Sequence, residues 1–186
     1  MKTQILRFNA SPLTEPLAWE ALRLIAENLG AVVVNGQNLS ARYHMALGSL
    51  VAGITINNAG GGAVHAMAYP IGTECHVSHG VANVVTFIPT LDYISMANIP
   101  KFVKLAMATG EPVEGISARE AAARGIHAMQ KLILGVGLPS RLRDIGADPN
   151  KIPFMAQAAF KEKRLLGNTI RQLTEEDIYK ILQNSF

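Results

Sequence analysis

Apolar residues recur at three- and four-residue intervals along most of this chain, the spacing that places them on one face of an α-helix. Leu17, Ala21, Leu24 and Ile25 predict a helix over 12–29, stopped at Gly30. A second helix is expected after Asn38, with Leu47, Leu50, Val51 and Ile54 inward. Between them, the AVVV run at 31–34 is strand-like in composition but has no partner strand nearby, so it reads as a buried connection. Val81, Val84, Val85, Ile88 and Leu91 predict a central, largely buried helix, kinked at Pro89. A short helix over 100–110 ends in glycine, and Ser117 with Glu120 forms a capping box before Ala122, Ile126, Met129 and Ile133. The cluster of Gly135, Gly137 and Pro139 closes that helix. Thr174 and Asp177 open a last helix with Ile178, Ile181 and Leu182 inward. The expected architecture is an all-α bundle of seven to nine helices in one domain, 1–186, with no linker long enough to divide it.

Composition narrows the class. With 49% hydrophobic and 17% charged residues, the chain has the apolar content to build a core and is not a disordered polyampholyte. The net charge of +3 is small, and the short basic run at 161–164 has no interleaved aromatics, so it reads as a solvated helix end with no nucleic-acid partner. A single cysteine, Cys75, excludes an intrachain disulfide and fits a reducing compartment, with the cytoplasm expected. The N-terminal stretch MKTQILRFNASP has no apolar signal run, and no membrane span is expected. Gly60, Gly61 and Gly62 lack the preceding strand and following acid of a dinucleotide fingerprint, and read instead as a helix entry or a close helix approach.

The chemistry concentrates in 58–89, which holds three of the five histidines. On one unbroken helix, the fourteen residues from His65 to His79 would span about 21 Å at ~1.5 Å per residue, too far for a shared ligand. Pro70 and Gly72 lie between them, and an interior proline removes a backbone donor. The chain is therefore expected to leave the helix there and return, which would let two imidazoles face one site. His76 and His79 are three apart, but Gly80 argues against a chelating helical pair. His44 and His127 have no second ligand type at helical spacing and read as solvated or locally hydrogen-bonded. Cys75 reads as structural, since no base with an orienting partner accompanies it.

The runs HAMAYPIG at 65–72 and HVSHGVAN at 76–83, with Pro89 beyond, resemble the metal-binding signature of the iron-containing (group III) alcohol dehydrogenase family. SPLTEPLA at 11–18, LPSRLRDIG at 138–146, LLGN at 165–168 and TEEDI at 174–178 extend the resemblance over nearly the whole chain from about residue 10. The resemblance implies a helical domain that, in the family, follows a Rossmann-like NAD(P)-binding domain and holds a divalent metal, iron(II) or zinc. It implies that His65 and His79 are metal ligands, alongside an Asp and a His four residues later on an earlier helix. Tyr69 stands where many members carry a further histidine that lines the substrate pocket or relays protons, which implies a catalytic contact. His76 is implied beside the substrate, a small alcohol or aldehyde.

The departures shape the expectation. No aspartate precedes Asp92, and the residues four after Glu15, Glu20 and Glu27 are Trp19, Leu24 and Ala31, so the first ligand pair is not found. No nucleotide-binding unit is visible either. Two readings follow. The chain is the metal-binding domain of an NAD(P)-dependent alcohol dehydrogenase, inactive unless a separate N-terminal nucleotide-binding chain completes it. Alternatively it is a non-catalytic orphan domain from a truncated gene. In either case apolar surface is expected near His65 and His79, with homo-oligomers as the result.

Overall fold

The computed structural model describes residues 11–186; the first ten residues of the stretch read above for a signal run lie outside the described residues. Nine α-helices and no strand occur among the described residues, as the periodicity predicts. Helices α1 (Thr14–Val34) and α2 (Leu39–Ala59) form a long hairpin. The turn between them is set by Asn35, whose side chain accepts from the Gln37 N–H, and by Asn38, which caps α2 through the Ala41 N–H. Their axes come close at Gly48, where an added Cβ would lie 3.0 Å from Ile25 and 3.3 Å from the Ala21 carbonyl oxygen.

Helices α3 (Ala63–Cys75) and α4 (His79–Ile94) are the centre of the molecule. Ala66, Met67 and Ile71 of α3 and Val85 and Leu91 of α4 are completely buried. Helices α5 (Ile99–Ala108) and α6 (Ala118–Gly135) make a second hairpin, packed backbone to backbone at Gly125. Helices α7 (Ile152–Phe160), α8 (Lys163–Leu166) and α9 (Glu175–Asn184) complete the core from the C-terminal side. The Thr174 and Asp177 box is formed in both directions at the start of α9, whose Ile178, Ile181 and Leu182 are fully buried. At α6 only half the expected box forms: Ser117 accepts from the Glu120 N–H, while the Glu120 carboxylate pairs with Arg124 at 2.9 Å.

Three expectations are corrected. Helix α1 does not stop at Gly30 but runs to Val34, and the AVVV run is its exposed last turn, not a buried connection; Val34 is 89% exposed. A mid-helix glycine costs about 1 kcal/mol, and the continued backbone bonding, down to the Asn35 N–H on the Ala31 carbonyl, outweighs it. On α2, Leu50 and Ile54 are 62% and 47% exposed, because the face turned inward carries Ala41, Gly48 and Thr55. Small residues there let α1 approach closely, and the bulkier residues are displaced outward. Finally, α3 is not broken at Pro70. That residue is buried inside a continuous helix, and the break comes at His76. The missing proline N–H forfeits one hydrogen bond, less than the burial of Ala66, Met67 and Ile71 on either side returns. Helix α4 likewise runs through Pro89 to Ile94.

Candidate metal centre

His65 sits in the first turn of α3, and its position begins with the triglycine entry. Gly60 has φ 78° and ψ −172°, a conformation open only to glycine. Gly61 is pressed against its surroundings: an added Cβ would lie 2.7 Å from Leu165 and 3.3 Å from the His65 side chain. The C-terminal segment fixes this entry. The Thr169 hydroxyl accepts from the Ala63 N–H at 3.1 Å, and the Asn168 amide donates to the Gly61 carbonyl at 3.2 Å. The LLGN motif therefore buttresses the start of the histidine helix, a role that no local pattern in the sequence announces.

His79 opens α4. The chain reverses between α3 and α4 through 76–78, with His76 in the left-handed region at φ 52° and Ser78 extended. This reversal brings His79 opposite His65, with ring centroids 5.4 Å apart and the planes at 60°. Tyr69, one turn after His65, lies over the other ring of the pair, its centroid 5.9 Å from that of His79 and the planes at 30°. One turn further along α4, the Asn83 amide donates to the His79 carbonyl at 2.6 Å.

The site is open on one side. His65 is half-buried, His79 is exposed and Tyr69 is 49% exposed. Ala68, Tyr69, Gly72, Thr73, Val77 and His79 line a shallow depression of about 470 Å³. His76 is exposed at the turn and does not line that depression. Cys75 is half-buried; burial first, and then the neighbouring Glu74 carboxylate, push its thiol upward, which disfavours the thiolate a nucleophile requires. Glu74 itself pairs with Lys151 at 3.4 Å and points its charge to that partner.

The other histidines lie elsewhere. His44 is bonded through Nδ1 to the Ser40 carbonyl one turn back, at 2.8 Å. His127 is exposed and lines a separate polar cavity of about 440 Å³ with Asp92, Arg119 and Gln130, where burial raises the Asp92 carboxyl. Among the described residues no group of three or more His, Cys, Asp and Glu side chains could hold a metal ion. The separation of the His65 and His79 rings can be set against that of two ligands on one cation. A tetrahedral cation at about 2.1 Å from two imidazole nitrogens would put the ring centres about 5 Å apart, near the separation found. Two imidazoles are half of such a coordination shell.

Comparison with known proteins places the chain in a family. Residues 4–186 match the model of the Fe-containing alcohol dehydrogenase family, C-terminal. The 1,3-propanediol dehydrogenase of Citrobacter freundii is 40% identical over 178 residues, 96% of this chain and 46% of that protein. Lactaldehyde reductase of Escherichia coli is 36% identical over 174 residues, 94% of this chain and 45% of the relative. A crystal structure of 1,3-propanediol oxidoreductase superposes with a TM-score of 0.95 at 38% identity, covering 98% of this chain and 48% of that one. The chain thus spans about half the length of the relatives it matches. With nine helices and no strand among the described residues, and the two histidines of the signature brought together in space, the chain belongs to the iron-containing alcohol dehydrogenase family, of which it represents the C-terminal helical domain.

Proposed function

We propose that these 186 residues are the metal-binding half of an NAD(P)-dependent alcohol dehydrogenase that interconverts a small alcohol and its aldehyde, with His65 and His79 as two ligands of iron(II) or zinc. The approach of the two rings to 5.4 Å carries this reading. When bound, such a metal would polarise an alcohol oxygen and ease loss of its proton. The chain's own residues do the rest of what is available here. The entry at Gly61, locked by Asn168 and Thr169, holds His65, and Asn83 holds the backbone at His79. Tyr69 shields one face of His79 and offers a phenol to a substrate oxygen in the adjoining depression. His76, exposed at the turn outside that depression, is given no substrate contact.

The remaining metal ligands and the nicotinamide site come from residues outside these 186, on the same or a separate chain, and the 186 residues alone turn over no alcohol. A second reading, a non-catalytic helical oligomer, is favoured by the exposed apolar side chains Tyr43, Leu50 and Ile54 along α2. Reconstitution separates the two. The chain is mixed with the separately produced N-terminal half of the Citrobacter freundii relative, and reduction of NAD by 1,3-propanediol is followed. Cofactor reduction that His79→Ala abolishes is expected. A stable, metal-loaded complex of the two halves without turnover would overturn the catalytic reading.

A further inference from the structure

The polar cavity that holds His127 lies between the end of α4 and the first half of α6. The two helices run antiparallel: Asn83 and Phe87 in the first half of α4 line a pocket with Leu132 and Ile133, whereas Asp92 near its end lines this one with Arg119. Asp92 follows His79 by thirteen residues on one helix, about 20 Å at ~1.5 Å per residue, and no residue lines both this cavity and the depression at His79. Charges of both signs meet here without neutralising each other. The side chains of Asp92, Arg119 and His127 make no hydrogen bond or ion pair among the described residues. Elsewhere on the surface the opposite holds: Arg23, Arg124 and Lys180 each pair with a carboxylate one helical turn away. Burial raises the Asp92 carboxyl, and no cation of the chain stands close enough to bring it back down.

We propose that this cavity binds a small zwitterion of the α-amino-acid type with an aliphatic side chain, its ammonium on Asp92, its carboxylate on Arg119 and its side chain against Ile88 and Ile126. The order follows from the helix directions. Arg119 lies toward the end of α4, Asp92 comes next, and Ile88 stands one turn further back beside Ile126, so anion site, cation site and apolar wall succeed one another. A guanidinium takes a carboxylate through two parallel hydrogen bonds. The opposed charges set the selection. An anion alone meets Asp92, a cation alone meets Arg119, and an uncharged molecule leaves both without a partner. Ile126 is buried and Ile88 half-buried, which gives an aliphatic side chain a wall to cover. A volume of about 440 Å³ is that of a small-molecule site. The proposal holds whether or not His65 and His79 bind a metal.

The test uses the 186-residue chain with L-leucine and two of its fragments: 3-methylbutylamine, which is leucine without the carboxylate, and 4-methylpentanoate, which is leucine without the ammonium. Saturable shifts of the Ile88 and Ile126 methyl resonances are expected with leucine, which should bind about tenfold tighter than either fragment, the worth of one charged hydrogen-bonded contact at a solvent-open site. Asp92→Asn should abolish the preference for leucine over 4-methylpentanoate and leave that over 3-methylbutylamine. Arg119→Gln should do the reverse. Equal affinity for the three compounds in the unmodified chain, or no saturable shift at either methyl, overturns the proposal without reference to any variant, and so does a preference for leucine that survives both substitutions.

Discussion

The rings of His65 and His79, fourteen residues apart in sequence, meet edge to face, with centroids 5.4 Å apart and planes at 60°. Neither helix alone produces this. It requires the reversal through 76–78 and a fixed start to α3, and the second of these is supplied by residues more than a hundred positions later.

That dependence is testable at Thr169, which is buried and accepts from the Ala63 N–H. Thr169→Val keeps the shape of the side chain and removes the acceptor. The variant should lose about 1–2 kcal/mol of stability in chemical denaturation, the cost of leaving a buried helix-entry donor unmet. Threonine to serine, which keeps the hydroxyl, should lose less. A larger loss in the serine variant than in the valine variant would show that the methyl contact, not the hydrogen bond, secures the entry.

Two helical glycines should respond in opposite directions to alanine. At Gly125 a Cβ would sit 2.7 Å from the Ala106 nitrogen and 3.0 Å from the Phe102 carbonyl oxygen, and backbone cannot move aside cheaply. Gly125→Ala should destabilise by about 1–3 kcal/mol through overpacking of the α5–α6 crossing. At Gly30 nothing lies within 4 Å, so Gly30→Ala should stabilise by about 0.5–1 kcal/mol. Thermal melts of the two variants beside the parent chain decide both.

Asp177 sets a pH dependence. Burial works against its charge, but hydrogen bonds from the Tyr93 hydroxyl and from the Thr174 N–H and hydroxyl, with Arg171 nearby, prevail and hold the carboxyl below its ordinary range. A depressed folded-state pKa adds stability that is present above the unfolded value, about 3.9, and lost as pH falls through the folded value. Asp177→Asn should therefore cost about 1–2 kcal/mol at neutral pH. The gap between parent and variant should close below about pH 4. Denaturation series across pH 2–7 measure it, and a gap independent of pH would assign the effect to packing.

The exposed apolar residues bear on association. Tyr69 stands beside His79, whereas Leu39, Tyr43, Leu50 and Ile54 lie along α2. Such clustering on one helix is the mark of a covered surface. Light scattering of the chain alone at micromolar concentration should give a mass above that of one 20.0 kDa chain. The double substitution Leu50→Glu with Ile54→Glu should return it to a monomer. A monomeric parent would remove the argument.

What the sequence made legible follows from how local each signal is. Ser117 and Thr174 cap their helices through bonds three residues long, and Ile178, Ile181 and Leu182 lie on the one apolar face of α9, so both were readable. Leu50 and Ile54 were misplaced because α2 is apolar around most of its circumference, and periodicity then does not say which side packs. The decision fell to Ala41, Gly48 and Thr55, whose small size lets α1 in. Pro70 misled in a different way. Its missing N–H is a local cost, while the burial that offsets it is contributed by the rest of the fold. His76 showed no sequence signal for the left-handed turn that the chain makes there. The bonds of Thr169 and Asn168 to the triglycine entry join distant segments, beyond any pattern in either one alone.

The central claim is that these residues hold half of a metal site, and metal analysis of the purified chain tests it most directly. After equilibration with iron(II) or zinc and removal of the excess, the chain alone should retain far less than one equivalent, and a cofactor-reduction assay across short alcohols and diols should show no turnover. One full equivalent of metal with alcohol oxidation by the 186 residues alone, both lost in His65→Ala, would contradict it.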